Sequence, residues 1–112
     1  MGKNIKIVHL KTNAQNLEMW MAYHKDTNEA IGHIFMAIEK DNKIKFLDAW
    51  VDSNFRRKGV YRLLWETRWK YVEQEYKGWL VYAWCKDTSL PLLLEKGFST
   101  GEVVTYVEKK IN

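Results

Sequence analysis

The sequence predicts an α/β domain (α+β in some schemes) on a mixed, mostly antiparallel sheet with a central helix and a short C-terminal helix, and three observations carry that prediction. Alternating and β-branched runs, separated by Asn- and Asp-rich turns, fill residues 4–51. A single long helical stripe follows over residues 60–76. An apolar run then returns at residues 79–85, so strand, helix and strand stand in the order that parallel pairing needs.

Each element has a local reason. Residues 4–10 (NIKIVHL) alternate polar and apolar side chains, the signature of a half-buried strand, and Thr12, Asn13 and Asn16 break the pattern. Residues 17–24 (LEMWMAYH) fit helical spacing through Leu17, Trp20, Met21 and His24, and strand alternation through Met19, Met21 and Tyr23. The strand reading is favoured because a turn (KDTNEA) and a second strand-like run (IGHIFMAIE) follow in a hairpin pattern. Another turn, KDNK, leads to IKFLDAWV, whose aromatic and β-branched content reads as a mostly buried strand. The helix beginning near Gly59 carries apolar or aromatic groups at Val60, Leu64 and Tyr71 and at Tyr61, Trp65, Trp69, Val72 and Tyr76, a stripe wide enough to be covered on much of its circumference. Gly78 ends it, and WLVYAWC reads as a buried strand of the parallel kind. In TSLPLLLEKGF a short helix is capped by Thr88 or Ser89, tolerates Pro91 in its first turn and exits through a left-handed Gly97. EVVTYVEK is the last strand.

Composition narrows the class. With 112 residues, 46% of them hydrophobic, one proline and no biased repeat, the chain forms one domain, residues 1–112. No apolar run approaches the roughly 20 residues of a membrane span, and the N-terminus lacks the apolar core of a signal peptide, so a cytoplasmic protein is expected. The single cysteine, Cys85, cannot form an internal disulfide and has no Cys or His at metal-ligand spacing, so no metal is expected. The net charge of +4 suits an anionic partner. Its distribution points to a local site rather than a long stripe, because Arg56, Arg57 and Lys58 form the only run of three cations, with Arg62 one turn later.

That run raises an electrostatic question. A helix N-terminus already carries about half a positive charge, so three cations placed there repel it and one another. The repulsion is relieved if the turn DSNFRRKG holds an anion: free backbone N–H groups converge at the strand-to-helix junction, and Gly59 lets a phosphate approach the backbone without a Cβ in the way. A solvated basic face is the ordinary alternative. The spacing matches neither a Walker loop nor a dinucleotide fingerprint.

The segment LDAWVDSNFRRKGVYRLL resembles the acetyl-coenzyme A signature of the GNAT N-acetyltransferase superfamily, in which a strand is followed by Arg/Gln-x-x-Gly-x-Gly/Ala at the start of the central helix; Arg56, Gly59 and the apolar helix start match. WLVYAWCKDTSLPLLLEKGF is similar to the family's next strand, short helix and Gly-Phe ending, here Gly97 and Phe98. The resemblance implies an acyl-CoA N-acyltransferase-like fold from about Ala30 onward, in a minimal member whose residues 11–16 leave no space for the family's two helices after the first strand. It implies acetyl-CoA as cosubstrate, with backbone groups at Trp50 and Val51 on the pantetheine and oxyanion. Arg56, Arg57, Lys58, Gly59, Val60 and Tyr61 would hold the pyrophosphate, and Asp87, after the next strand, joins the cofactor side. Tyr61 departs from the signature by standing where a small residue is usual, and the family's frequent acid and base positions fall on Leu93 and Lys45, which cannot do that work.

The implied reaction is direct attack of a primary amine on the acetyl thioester in a ternary complex, with a protein lysine, a protein N-terminus or another bulky amine as acceptor. Asp48, between Leu47 and Ala49 in an apolar strand, is the candidate base; Tyr82 is the candidate acid or water-positioning group, with Tyr106 behind it. Ion pairing of Asp48 and plain packing of the tyrosines are the bland alternatives. His33 reads as structural, and Cys85 has no partner that would lower its pKa. Trp65 and Trp69 are expected in the core, whereas Trp20, Trp50 and Trp84 would line an acceptor groove or be covered by a second copy in a homodimer. Two rival functions stand beside the enzyme: a non-catalytic CoA-binding or protein-interaction module, and a small basic nucleic-acid binder using lysines and exposed aromatics.

Overall fold

The computed structural model describes residues 4–12, 16–84, 90–100 and 106–111. Strands β1 (Ile5–Thr12), β2 (Leu17–His24), β3 (Ala30–Glu39) and β4 (Lys43–Val51) form an antiparallel meander. Helix α1 (Val60–Glu75) then crosses to β5 (Leu80–Trp84), which runs parallel to β4. After α2 (Leu90–Glu95), the short β6 (Ser99–Thr100) and β7 (Tyr106–Lys110) complete one sheet in the order β1-β2-β3-β4-β5-β7-β6.

Pairing decides what local pattern left open. Residues 17–24 are a strand because their backbone is hydrogen-bonded between β1 and β3. The expected break at Thr12 is corrected: β1 pairs one for one with β2, from Ile5 with His24 to Thr12 with Leu17, and the turn comes later, with Asn16 left-handed at φ 52°. Residues 53–55, expected as loop, form a 3₁₀ turn. Of the predicted last strand, residues 106–109 are described, in a β7 that runs one residue further to Lys110, and the short β6 that pairs with it has no counterpart in the sequence reading. Gly78 and Gly97 are left-handed, as anticipated for helix exits, while Thr88 and Ser89 lie outside the described residues.

The core occupies one face of the sheet. Val60, Leu64, Trp65, Trp69 and Val72 of α1 pack on Ile34, Met36, Ile44, Phe46 and Val81, each burial contributing about 1.5–3 kcal/mol. Trp65 and Trp69 stack at 5.5 Å, and Phe46 meets them edge-on at 5.8 and 6.2 Å. Helix α2 lies beside α1 on the same face: Phe98 joins Trp69 at 5.5 Å, while Arg62 with Glu95 and Lys96 with Glu66 pair at 3.1 and 2.8 Å. Trp20 also belongs here and not to a groove on the far face. Only 1% exposed, it stacks on His9 at 4.3 Å, and beside it Glu18, buried, accepts hydrogen bonds from His9 Nε2 (2.7 Å) and the Tyr76 hydroxyl (2.9 Å). Burial and the Glu18 carboxylate together raise the Tyr76 pKa.

On the opposite face, strand alternation gathers Met19, Met21, Tyr23, His33, Phe35 and Trp50, and among the described residues no helix covers them. The face agrees with a β1-to-β2 hairpin that has no room for intervening helices. His33 lies between Phe35 and Trp50, at 4.9 and 5.5 Å, and burial lowers its pKa.

Two outcomes follow from this packing. A Cβ at Gly32 would stand 3.0 Å from the Trp50 carbonyl oxygen and 3.3 Å from Leu64 Cδ1, so Gly32→Ala should lose about 1–3 kcal/mol in urea unfolding. Because the unfolded chain protonates His33 first, stability should fall as pH drops through about 6.5 toward the lower folded value, and His33→Gln should lose less between pH 7 and 5. Equal acid sensitivity of the two proteins would contradict that assignment.

Candidate functional site

The site is built on a change of register in β4. Ala37 pairs with Lys45 and Met36 with Phe46, but Ile34 pairs with Ala49, so Leu47 and Asp48 together face the single residue Phe35. This is a β-bulge, one extra residue in one strand, and it reverses the side to which every later residue points. The Asp52 N–H donates to the Ile31 carbonyl at 2.8 Å. Alternation makes His33 and Trp50 the next hydrogen-bonded pair, and it turns the peptide groups of Ala49 and Val51 toward the β5 side. There the parallel pairs end at Phe46 with Ala83, and among the described residues no strand takes the Ala49 and Val51 amides. The Trp50 amide, expected on the cofactor, faces His33, its side chain is 40% exposed on the uncovered face, and the amides at the gap are those of Ala49 and Val51.

Beneath the bulge stands Arg68, 2% exposed, in the apolar stripe of α1. Its Nη1 donates to the Phe35 carbonyl at 2.8 Å and lies 3.4 Å from the Leu47 carbonyl, and its guanidinium sits 3.7 Å over the Phe46 ring. Burial pulls its pKa down to about 9, against a smaller opposing effect of the Tyr61 phenol seven residues back, so the group is still a cation at neutral pH. Sequence reasoning missed Arg68. The signal was there, a lone cation four residues after Leu64 and four before Val72 in an otherwise apolar stripe.

The gap leads directly into the turn at residues 52–59. Asp52 accepts from the Asn54 N–H at 2.9 Å and so starts the 3₁₀ turn, and Arg56 Nε donates to the Val51 carbonyl at 3.2 Å, which ties the first cation to the end of β4. Arg57 (φ 64°) and Gly59 (φ 82°) are both left-handed, a turn geometry that folds successive N–H groups into a concave anion-binding arrangement. Gly59 caps α1 without a side-chain acceptor, so the Val60, Tyr61 and Arg62 amides have no partner one turn back. Arg62 is neutralised by Glu95, whereas Arg56, Arg57 and Lys58 are exposed, Lys58 lying 5.5 Å over the Phe55 ring. Tyr61 is partly buried against the core, so its ring leaves the turn open. Two grooves flank this end of α1: one of about 280 Å³ between Ile5, Gly59 and Leu63, and one of about 300 Å³ between His24, Phe55 and Lys58.

The structure distributes the candidate catalytic groups unevenly. Asp48 lies in the bulge by its backbone, and its side chain is outside the described residues, as is that of Tyr106, whose backbone pairs with Trp84. Tyr82, opposite Lys45, gives its hydroxyl to the Glu39 carboxylate, which leans it toward the turn between β3 and β4 and away from the gap. Leu93 is buried in the core. Cys85, Asp87 and the Trp84 side chain lie outside the described residues. Among the described residues no group of three or more His, Cys, Asp or Glu could hold a metal, and no helix is long and apolar enough to cross a membrane.

No protein-family model and no curated protein matches the sequence. Solved structures do match the fold. A ribosomal-protein-S18-alanine N-acetyltransferase from Escherichia coli superposes with a TM-score of 0.72 at 11% identity, over 96% of this chain and 94% of that one. An acetyltransferase from Trypanosoma brucei gives 0.70 at 17% identity, over 88% and 95% of the two chains. An acetyltransferase of the GNAT family from Staphylococcus aureus gives 0.66 at 13% identity, over 88% and 70%. These likenesses cover most of this chain, and together with its seven-stranded, mostly antiparallel sheet they show that the protein has the GNAT acyl-CoA N-acyltransferase fold.

Proposed function

We propose that this protein transfers an acetyl group from acetyl-CoA to a primary amine on a protein or other bulky acceptor, by direct attack in a ternary complex. One observation carries the reading. The edge of β4 at Ala49 and Val51, whose amides no strand takes among the described residues, runs straight into a concave, tri-cationic helix N-terminus. That is the donor order required by a ligand with an amide-bearing arm followed by a diphosphate: the arm pairs as a short strand would, and the phosphates meet N–H groups and cations. The acetyltransferase folds described above support the chemistry, and the uncovered sheet face beside the gap supports a bulky acceptor; the Escherichia coli protein is itself named for an alanine of ribosomal protein S18.

In this reading the Arg57, Lys58, Gly59, Val60 and Tyr61 amides, with the Arg56, Arg57 and Lys58 charges, hold the pyrophosphate. Val51 and its neighbour Ala49 hold the pantetheine arm and the oxyanion. Attack forms the new C–N bond, the tetrahedral carbon's negative oxygen is met by strand amides, and C–S cleavage releases the thiolate. Because a thiol has a pKa near 8.5, its departure is the least demanding step. The amine must lose a proton, and Asp48, next to the gap, is the group nominated to take it. Tyr106 stands as the candidate for proton delivery or water positioning, because Glu39 holds the Tyr82 hydroxyl away from the gap. The protein is expected in the cytoplasm, where acetyl-CoA and its acceptors meet.

Two substitutions test the assignment. Gly59→Val forces a β-branched residue into a left-handed conformation, at a local cost of about 1–2 kcal/mol, and should abolish acetyl-CoA binding by calorimetry while the circular dichroism spectrum persists. Unchanged affinity would refute the loop assignment. Asp48→Asn should keep the cofactor affinity and lower kcat on an amine panel by about 10²–10⁴. Cofactor binding by wild type without turnover on any amine would favour the non-catalytic CoA-binding module instead.

A further inference from the structure

A buried guanidinium with two backbone carbonyls and an aromatic ring as its partners is an expensive way to fill space, since Arg68 Nε has no hydrogen-bond partner among the described residues. Its position gives a reason. Both carbonyls, those of Phe35 and Leu47, belong to the bulge, where two residues of one strand face one of the other and the ladder leaves acceptors imperfectly used. Without the extra residue, the register set by Ala37 and Lys45 would continue, and Asp48 and Trp50 would turn their peptide groups to the β5 side in place of Ala49 and Val51. The Trp50 indole would then be driven beneath α1 opposite Gly32, where Val51 now lies.

We propose that Arg68 is the positioning residue of the gap: by holding the Phe35 and Leu47 carbonyls from the α1 side it stabilises the bulge, and so fixes the Ala49 and Val51 amides where a thioester carbonyl would develop negative charge. Its own charge, not cancelled by a carboxylate among its described contacts, favours that oxyanion through the low-dielectric strand above it. The catalytic half of this proposal rests on the acetyltransferase reading; the structural half does not.

The test compares wild type with Arg68→Met, which keeps apolar bulk, and Arg68→Lys, which keeps charge and loses the planar fork. In the free protein, residue-resolved amide exchange by NMR should be about tenfold faster or more at His33, Trp50 and Asp52, the amides that pair β4 with β3 beyond the bulge, in Arg68→Met, with β1 and β2 unchanged. With acetyl-CoA and an amine, kcat should fall by about 10² while the acetyl-CoA Kd, set mainly by the turn, stays close to wild type. If Arg68→Met does not fold, Arg68→Lys carries both readouts, with smaller changes at the same amides. Unaltered exchange at His33, Trp50 and Asp52, or protection lost evenly over the whole sheet, would overturn the proposal. A wild-type protein that turns over no amine would defeat the acetyltransferase reading alone, leaving the exchange result to decide the role of Arg68.

Discussion

Strand β4 pairs with neighbours on both sides in its first half and, among the described residues, with β3 alone in its second, and the switch is made by one extra residue. Up to Phe46 it is an ordinary interior strand, antiparallel to β3 and parallel to β5. Beyond Leu47 and Asp48 its side chains change faces, its peptide groups at Ala49 and Val51 lose their β5 partner, and its end is tied to the turn through Arg56 and the Val51 carbonyl. The remaining features depend on this. The gap has amides only because the parity changes there, and the turn lies at the mouth of the gap only because β4 ends one hydrogen-bonding step later, at the Asp52 bond to Ile31.

The cover over this strand is as one-sided as its pairing. Both helices press on one face, where Phe46, Trp65, Trp69 and Phe98 make a continuous aromatic layer and Arg68 is enclosed among them. The opposite face keeps Phe35, His33 and Trp50 together without a helix above them among the described residues. A rigid, buried side that sets the geometry and an open side beside the gap are what the proposed transfer to a large acceptor would use.

Much of this was legible in the sequence, because much of it is local. The Arg56 to Gly59 turn, the α1 stripe, the parallel pairing of Leu80 to Ala83 and the left-handed Gly97 each follow from residue types within one or two turns of chain. What escaped was set by partners far along the chain. The bulge exists only in the relation between β4 and β3, so nothing in LDAWV announces it. Tyr82 bonds to Glu39, 43 residues away, and Arg68 to Phe35, 33 away, distances over which periodicity says nothing. Trp20 is the instructive case. Its alternation with Glu18 and Ala22 assigns it to one face, but which face α1 covers is decided by tertiary packing, and that face buries it.

The central claim is that a single ligand spans the β4 gap and the helix turn, and an amide-resolved NMR titration of wild-type protein with acetyl-CoA tests it most directly. The account predicts that the Ala49 and Val51 signals and those from Arg57 to Tyr61 move together along one binding curve, while the β1 and β2 amides stay still. Shifts confined to the turn would mean a general anion site, and the absence of any shift at both places would contradict the account.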